Sequence, residues 1–423
     1  MKSFDKIIGY ESVKNELYQI IDMFKNKDAY LDMGARIPNG VLIYGNPGLG
    51  KTMLANAMIE EIHVKAYILR NNKNERDLIR EINTVFIEAS HKEKCIIFFD
   101  DLDKFSEATE DDIDDRVFVT IQANIDIVKD KNVLIIATVN NMDKLPHSLK
   151  RNGRFDRKIG LVRPTREDSA KIIEFYLKQK KVNPDINYQD IVKMINYTSC
   201  ADLETIINES AILAAYARKE SVDIEDIVQA YSRYAYETPL DQYECSSEAI
   251  EATSIHEAGH AVMAEVIKKG SIGLLSIQSI ERDVMSGFTY LCEDIERTQE
   301  SILIALGGKA ASELLYSGKC ARGCEDDLRK AMMMIEHEAS AKATYGLSLL
   351  KTDDYTASEN MKTKCEVLIQ TEMERYLFIA KEVILKNKEF VYRLAETLKS
   401  KRTLLYSDIQ RIRDRIHITE FKL

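Results

Sequence analysis

Gly45-Asn46-Pro47-Gly48-Leu49-Gly50-Lys51-Thr52 has the spacing G-x-x-x-x-G-K-[ST]. Glycines in that pattern let backbone N–H groups converge on phosphate oxygens with no Cβ in the way. A helix expected to begin near Lys51 turns its N-terminal dipole toward the same anion. Lys51 then faces the β- and γ-phosphates of a nucleotide, and Thr52 ligates Mg²⁺. Far along the chain, His256-Glu257-Ala258-Gly259-His260 fits H-E-x-x-H within a helical stretch that continues through Val266. Positions i and i+4 share one helical face, so both imidazoles reach a single Zn²⁺ while Glu257 abuts the metal's water as general base. The chemistry is attack of an activated water on a peptide carbonyl.

Each pair of motifs needs partners from elsewhere. The apolar run Cys95 to Phe99 leads directly into Asp100 and Asp101; beside a phosphate loop, Asp100 is placed to hold Mg²⁺ through water and Asp101 to orient the attacking water. A further apolar run, Val133 to Ala137, leads to Asn140, and Arg154 and Arg157 follow in Gly153-Arg154-Phe155-Asp156-Arg157. Arginines three apart can present both guanidinium groups from one side of a turn and complete a neighbouring subunit's site; two surface salt bridges explain the same pair. The third zinc ligand is open on spacing alone. Glu325, Asp326 and Asp327 open a helical run and double as caps, and His337 competes.

The elements that must hold these residues follow from composition and rhythm. The chain has 423 residues, 45% apolar and 30% charged, which is enough for about three folded domains. Short apolar runs (Val41 to Tyr44, Cys95 to Phe99, Val133 to Ala137) alternate with amphipathic stretches, as buried parallel strands alternate with crossover helices. Helical periodicity takes over from about Pro164, and all six prolines lie at or before Pro239. The expected organisation is an α/β nucleotide-binding subdomain over 1–163, a small helical subdomain over 164–238 and a mainly α-helical metallopeptidase domain over 239–423, with the linker at Glu237–Asp241. Gly270 to Leu291 reads as a short hairpin between helices, and Lys401 to Leu423 as a solvated terminal helix.

Charge and cysteine usage narrow the function class. Fifty-nine basic against 69 acidic residues leave a net charge of −10, which argues against a nucleic-acid partner bound by bulk electrostatics. Seven scattered cysteines suggest reduced thiols, and Cys320 with Cys324 has no second pair to complete a zinc site. No window approaches about 18 consecutive apolar residues and the start lacks a signal-like run, so the expectation is a cytoplasmic protein with no membrane segment.

Together these motifs resemble the FtsH family of ATP-dependent zinc metalloproteases, an AAA ATPase module followed by a peptidase. Phe4 to Tyr10 and Gly34 to Leu42 are similar to the family's approach to its phosphate loop. Cys95–Asp101, Asn140 and Arg151–Arg157 resemble its Walker B, sensor and arginine-finger segments, and Cys200-Ala201-Asp202-Leu203 its Gly-Ala-Asp-Leu. Leu306 to Glu313 is similar to a family helix, and Gly323-Cys324-Glu325-Asp326-Asp327-Leu328 resembles its Gly-Ala-Glu-Asn-Asp-Leu. The resemblance implies Asp327 as third zinc ligand, Arg154 and Arg157 as fingers in a homo-oligomer expected to be a hexamer, one Zn²⁺ per subunit, ATP with Mg²⁺, and protein substrates.

Departures from the family pattern set a second reading beside the first. Asp101 replaces Glu, withdrawing the carboxylate by about 1 Å. Asn71 to Asp77 is polar where the family has Phe-Val-Gly, and an aromatic grips a threaded chain as Asn and Lys do not. Ile125-Asp126-Ile127 stands in place of Asp-Gly-Phe, and the family's N-terminal membrane segments have no counterpart. The alternative is a nucleotide-gated remodelling or assembly protein whose peptidase acts only on unfolded or small clients.

Overall fold

Five strands form a parallel sheet, β1 (Gly40–Tyr44), β2 (Lys65–Arg70), β3 (Cys95–Asp100), β4 (Val133–Val139) and β5 (Arg157–Gly160), in the order β2-β3-β4-β1-β5, and Val, Ile, Leu and Phe dominate the central β1, β3 and β4. The computed structural model describes residues 3–106, 116–129, 131–151, 153–195, 198–236, 245–281, 284–316, 324–340, 342, 351–352, 355–356 and 358–421. Every residue of β4 is buried, as a strand covered on both faces requires. One face carries α4 (Glu75–Ser90) and α5 (Arg116–Val128), whose Phe86 and Phe118 pack with Phe99. The other carries α1 (Glu11–Lys25) and α3 (Lys51–Ile62), with Leu17, Leu54 and Met58 against Ile43; α2 (Lys27–Asp32) lies between them in sequence. Because β1, β3 and β4 run parallel, their C-terminal ends bring the phosphate loop, Asp100–Asp101 and Asn140 to one edge of the sheet, where open α/β sheets bind ligands.

Helices follow: α6 (Arg166–Leu177), α7 (Tyr188–Met194), α8 (Cys200–Tyr216) and α9 (Ile224–Tyr236). The chain folds as two compact units, Met1–Lys181 with Tyr197–Glu209, and Val182–Asn196 with Ser210–Leu423. The segment expected as linker, Glu237–Asp241, lies outside the described residues.

The second unit is built around α10 (Ser247–Ile267), buried continuously from Thr253 to Val266 and capped by the Ser246 hydroxyl. Around it pack α11 (Thr298–Leu315), α12 (Cys324–Ser340), α13 (Glu359–Lys386) and α14 (Lys388–Lys401). The expected hairpin is β6 (Ile272–Glu281) and β7 (Val284–Leu291), antiparallel; β8 (Lys351–Thr352) and β9 (Tyr355–Thr356) form a small second one. The tail corrects its sequence reading. Thr403–Leu405 is a strand, β10, pairing with β6, and α15 (Tyr406–Arg413) buries Ile409 and Arg413. Three residues carry no legible strand signal, and the partner that makes them one lies far back in the chain. Arg413 donates to the carbonyl of Glu265 at 2.6 Å, and the Glu265 carboxylate accepts from the backbone of Gly270 and Ile272. Among the described residues no cysteine is in a disulfide, and Cys324 is a buried residue at the start of α12, while Cys320 lies outside them. No described helix is long and apolar enough to cross a membrane.

α10 and α11 cross in backbone contact. A Cβ on Gly259 would stand 2.4 Å from the carbonyl oxygen of Gly307, and one on Gly307 would stand 2.7 Å from that of Gly259. Gly259→Ala is therefore expected to destabilise the fold by about 1–3 kcal/mol, because neither backbone can yield independently. Chemical denaturation measures this, and wild-type stability would mean the helices separate at little cost.

Candidate functional site

The strand ends of the first unit build an open cleft of about 1140 Å³ lined by Gly45 to Gly48, Lys51, Thr52, Asp101, Asp103 and Asn140. Gly45, Gly48 and Gly50 all have positive φ, the conformation glycine adopts without a Cβ penalty. Lys51 is buried and donates to the carbonyls of Gly45 (2.7 Å) and Asn46 (2.8 Å). Burial pulls its pKa down against the raising influence of Asp101 and Asp103. Thr52 donates to Asp100 Oδ1 at 2.8 Å, and Thr138 and Arg70 hold the same carboxylate. Hydroxyl and carboxylate thus sit side by side, as a shared Mg²⁺ site requires. Asp101 has φ 57°, a left-handed conformation Asp tolerates better than most residues. Its backbone N–H donates to Thr138 Oγ1, and its carboxylate accepts from Asn140 Nδ2 (3.1 Å) and Lys104 Nζ (2.7 Å). Asp103, not singled out from sequence, accepts from the backbone N–H groups of Asn140 and Asn141 and so fixes that loop.

The two arginines have different surroundings. Arg154 forks onto Asp126, donates to Gln122 and to the carbonyl of Ser148. Arg157 stands 4.0 Å from Glu16 and lines a separate basic groove with Lys27, Arg36, Lys129 and Lys131. Neither is among the residues lining the cleft of its own chain. Asn71 donates to the carbonyl of Lys104, and Asn74 caps α4 through Asp77 N, so the polar segment is engaged in local bonds.

In the second unit, His256 Nε2, His260 Nε2 and Asp327 Oδ2 form a triangle with sides of 3.0, 3.1 and 3.1 Å. Among the described residues they are the one cluster of this kind. Donors around a tetrahedral zinc with bonds of about 2.0–2.1 Å stand a little over 3 Å apart, so the set fits that ion. The carbonyl of Ile304 can only accept, and it lies 2.7 Å from His260 Nδ1; Nδ1 carries the hydrogen and Nε2 is left for a metal. Ser312 Oγ lies 3.4 Å and Cys324 Sγ 3.7 Å from His256 Nδ1. A Cβ on Gly308 would stand 2.4 Å from His260 Nε2, so the second glycine of α11 keeps the ligand atoms clear.

Glu257 is buried beside this triangle, with Oε2 accepting from the Thr289 hydroxyl at 2.8 Å. Gly287 makes room for the carboxylate, since a Cβ there would stand 2.6 Å from Oε1. Of the candidate third ligands, Asp327 reaches the histidines, whereas Asp326 turns to Arg329. Thr289, Gly287, Ile304 and Ser312 had no assigned role from sequence. The one legible hint was Gly307-Gly308 inside a helix, which costs about 1 kcal/mol per glycine unless something packs there.

The two halves match different family models. Residues 41–163 match the ATPase family associated with various cellular activities (AAA), and residues 244–412 match peptidase family M41. The chain is 29% identical to an ATP-dependent zinc metalloprotease FtsH 3 from Symbiobacterium thermophilum, an alignment covering 96% of this chain and 70% of that protein. It is 28% identical to an ATP-dependent zinc metalloprotease FtsH of Mycoplasma mobile (97% and 62%) and 27% identical to one of Thermus thermophilus (97% and 70%).

Burial pulls the His260 pKa down, but the hydrogen bond and charge of Asp327, with Glu257 and Ile304 adding, outweigh it and push it up to about 9. The metal-free site therefore holds a proton at pH 7 that zinc must displace, and affinity falls as pH is lowered. Calorimetry at pH 7 in buffers of different ionisation enthalpy is expected to show release of about one proton per zinc. Asp327→Asn should lower bound zinc and Asp326→Asn should not; metal analysis of the two variants decides the ligand.

Proposed function

The chain belongs to the FtsH family, an AAA ATPase module joined to an M41 peptidase module, and from that premise we propose that it hydrolyses peptide bonds in protein substrates at a zinc centre served by an ATPase. The observation that carries the reading is the His256–His260–Asp327 triangle with Glu257 held beside it by Thr289.

His256, His260 and Asp327 would hold Zn²⁺, which would supply the acidification of a water and the polarisation of the scissile carbonyl. Glu257 takes the water's proton and returns one to the leaving amine. Thr289 occupies Oε2, which leaves Oε1, in the space beside Gly287, free to face the water. β7 is the edge of its three-stranded sheet, so a substrate in extended form can pair with it next to the general base.

At the other site, Lys51 neutralises phosphate charge, Thr52 and Asp100 hold Mg²⁺, and Asp101 with Asn140 orients the attacking water. Arg154 and Arg157 act on a neighbour's nucleotide in a homo-oligomer, a hexamer on the family's pattern. Their absence from the lining of their own cleft supports that role. The polar segment near Asn71 favours the second reading, in which the ATPase assembles or gates the peptidase without pulling folded clients apart.

Glu257→Gln is expected to abolish cleavage with zinc near one per chain; retained cleavage would remove Glu257 as base. A stably folded substrate with an unstructured tail, offered beside an unfolded one with ATP and with ADP, separates the readings. ATP-dependent loss of the folded substrate is expected of a pulling motor, and loss of only the unfolded one, equally with ADP, of a gate.

A further inference from the structure

β7 holds the general base from one face and is itself held from the other. Successive strand residues point to opposite faces, so Gly287 and Thr289, which touch Glu257, lie on one side and Phe288 and Tyr290 on the other. On that far side the Tyr236 ring stacks on Phe288 with centroids 3.7 Å apart and planes at 17°. Tyr231, buried, sits edge-on to both Tyr236 and Tyr290 at 6.1 Å. Tyr231 and Tyr236 belong to the last turns of α9, before the start of the peptidase-family match at residue 244.

We propose that Tyr236, through its stack on Phe288, is a positioning residue for Glu257: the end of α9 fixes the strand whose opposite face aims the general base. The inference rests on the peptidase reading. Among the described residues β7 has a hydrogen-bonded neighbour strand on one side only, β6, and on the peptidase reading its other edge must stay open for an extended substrate. Restraint therefore has to come through its side chains, and the residue between Gly287 and Thr289 carries the closest ring contact. The aromatic grip also makes peptide turnover depend on a helix that the peptidase match does not include.

The test uses the full chain and three forms: wild type, Tyr236→Ala and Tyr236→Phe. With a short fluorogenic peptide, Tyr236→Ala should lower kcat about tenfold or more with KM within twofold and zinc near one per chain, since small misplacements of a catalytic group are costly in rate. Tyr236→Phe, which keeps the stack, should restore kcat to within about twofold. Hydrogen exchange supplies a readout independent of activity: amides of β7 that pair with β6 should exchange faster in Tyr236→Ala and at the wild-type rate in Tyr236→Phe. Unchanged β7 exchange in Tyr236→Ala overturns the proposal, as does a Tyr236→Phe variant as slow as Tyr236→Ala. If wild type itself cleaves no peptide, the peptidase reading falls, while the exchange data still decide whether Tyr236 restrains β7.

Discussion

The backbone contact between α10 and α11 at Gly259 and Gly307 governs the geometry of the candidate metal centre. Two helices normally stand 8–10 Å apart because side chains separate them; here the glycines remove that spacer. The closeness lets the Ile304 carbonyl and the Ser312 hydroxyl of α11 reach the outward ring nitrogens of His260 and His256 on α10. Each histidine is thereby set with its Nε2 toward the same point. Gly308 leaves that point open, and Asp327 closes it from the start of α12.

The same helix meets a sheet on its other flank. β7 touches Glu257 at Gly287, where a side chain would displace the carboxylate, and at Thr289, which binds it. Two candidate ligand histidines and a proposed general base on consecutive turns need different neighbours, and α10 meets this need by lying between α11 and β7. Continuous burial from Thr253 to Val266 is the result. Ser254, His256, Glu257, His260 and Glu265 are tolerated at that depth because each has a hydrogen-bond partner.

The nucleotide cleft is organised by strand order. β3 and β4 are adjacent and parallel, so Thr138 near the end of β4 bonds both the Asp100 carboxylate and the Asp101 backbone at the end of β3. Asp101 then turns into the cleft through a left-handed backbone step and meets Asn140. The shorter carboxylate in place of the family's Glu is bonded to Asn140 and Lys104, a specific seat for a group of reduced reach.

Much of this was legible in the chain. The phosphate loop, the H-E-x-x-H pentapeptide, the parallel-strand rhythm and the helical C-terminal half are local patterns, and spacing within one loop or helical turn determines them. Asp327 could be selected only by resemblance, since Glu325, Asp326 and His337 satisfy the same chemistry on paper. Distances across the fold separated them, with Asp326 spent on Arg329. β10, Thr289, the Ile304 carbonyl and the Tyr236 stack were invisible for a common reason. Each acts through a partner distant in sequence, and a backbone carbonyl or an ordinary threonine has no signature until packing gives it one. Residue type and local spacing thus determined which groups could do chemistry in this protein, whereas tertiary contact decided which of them meet, because orientation and burial are properties of neighbours and not of the residue itself.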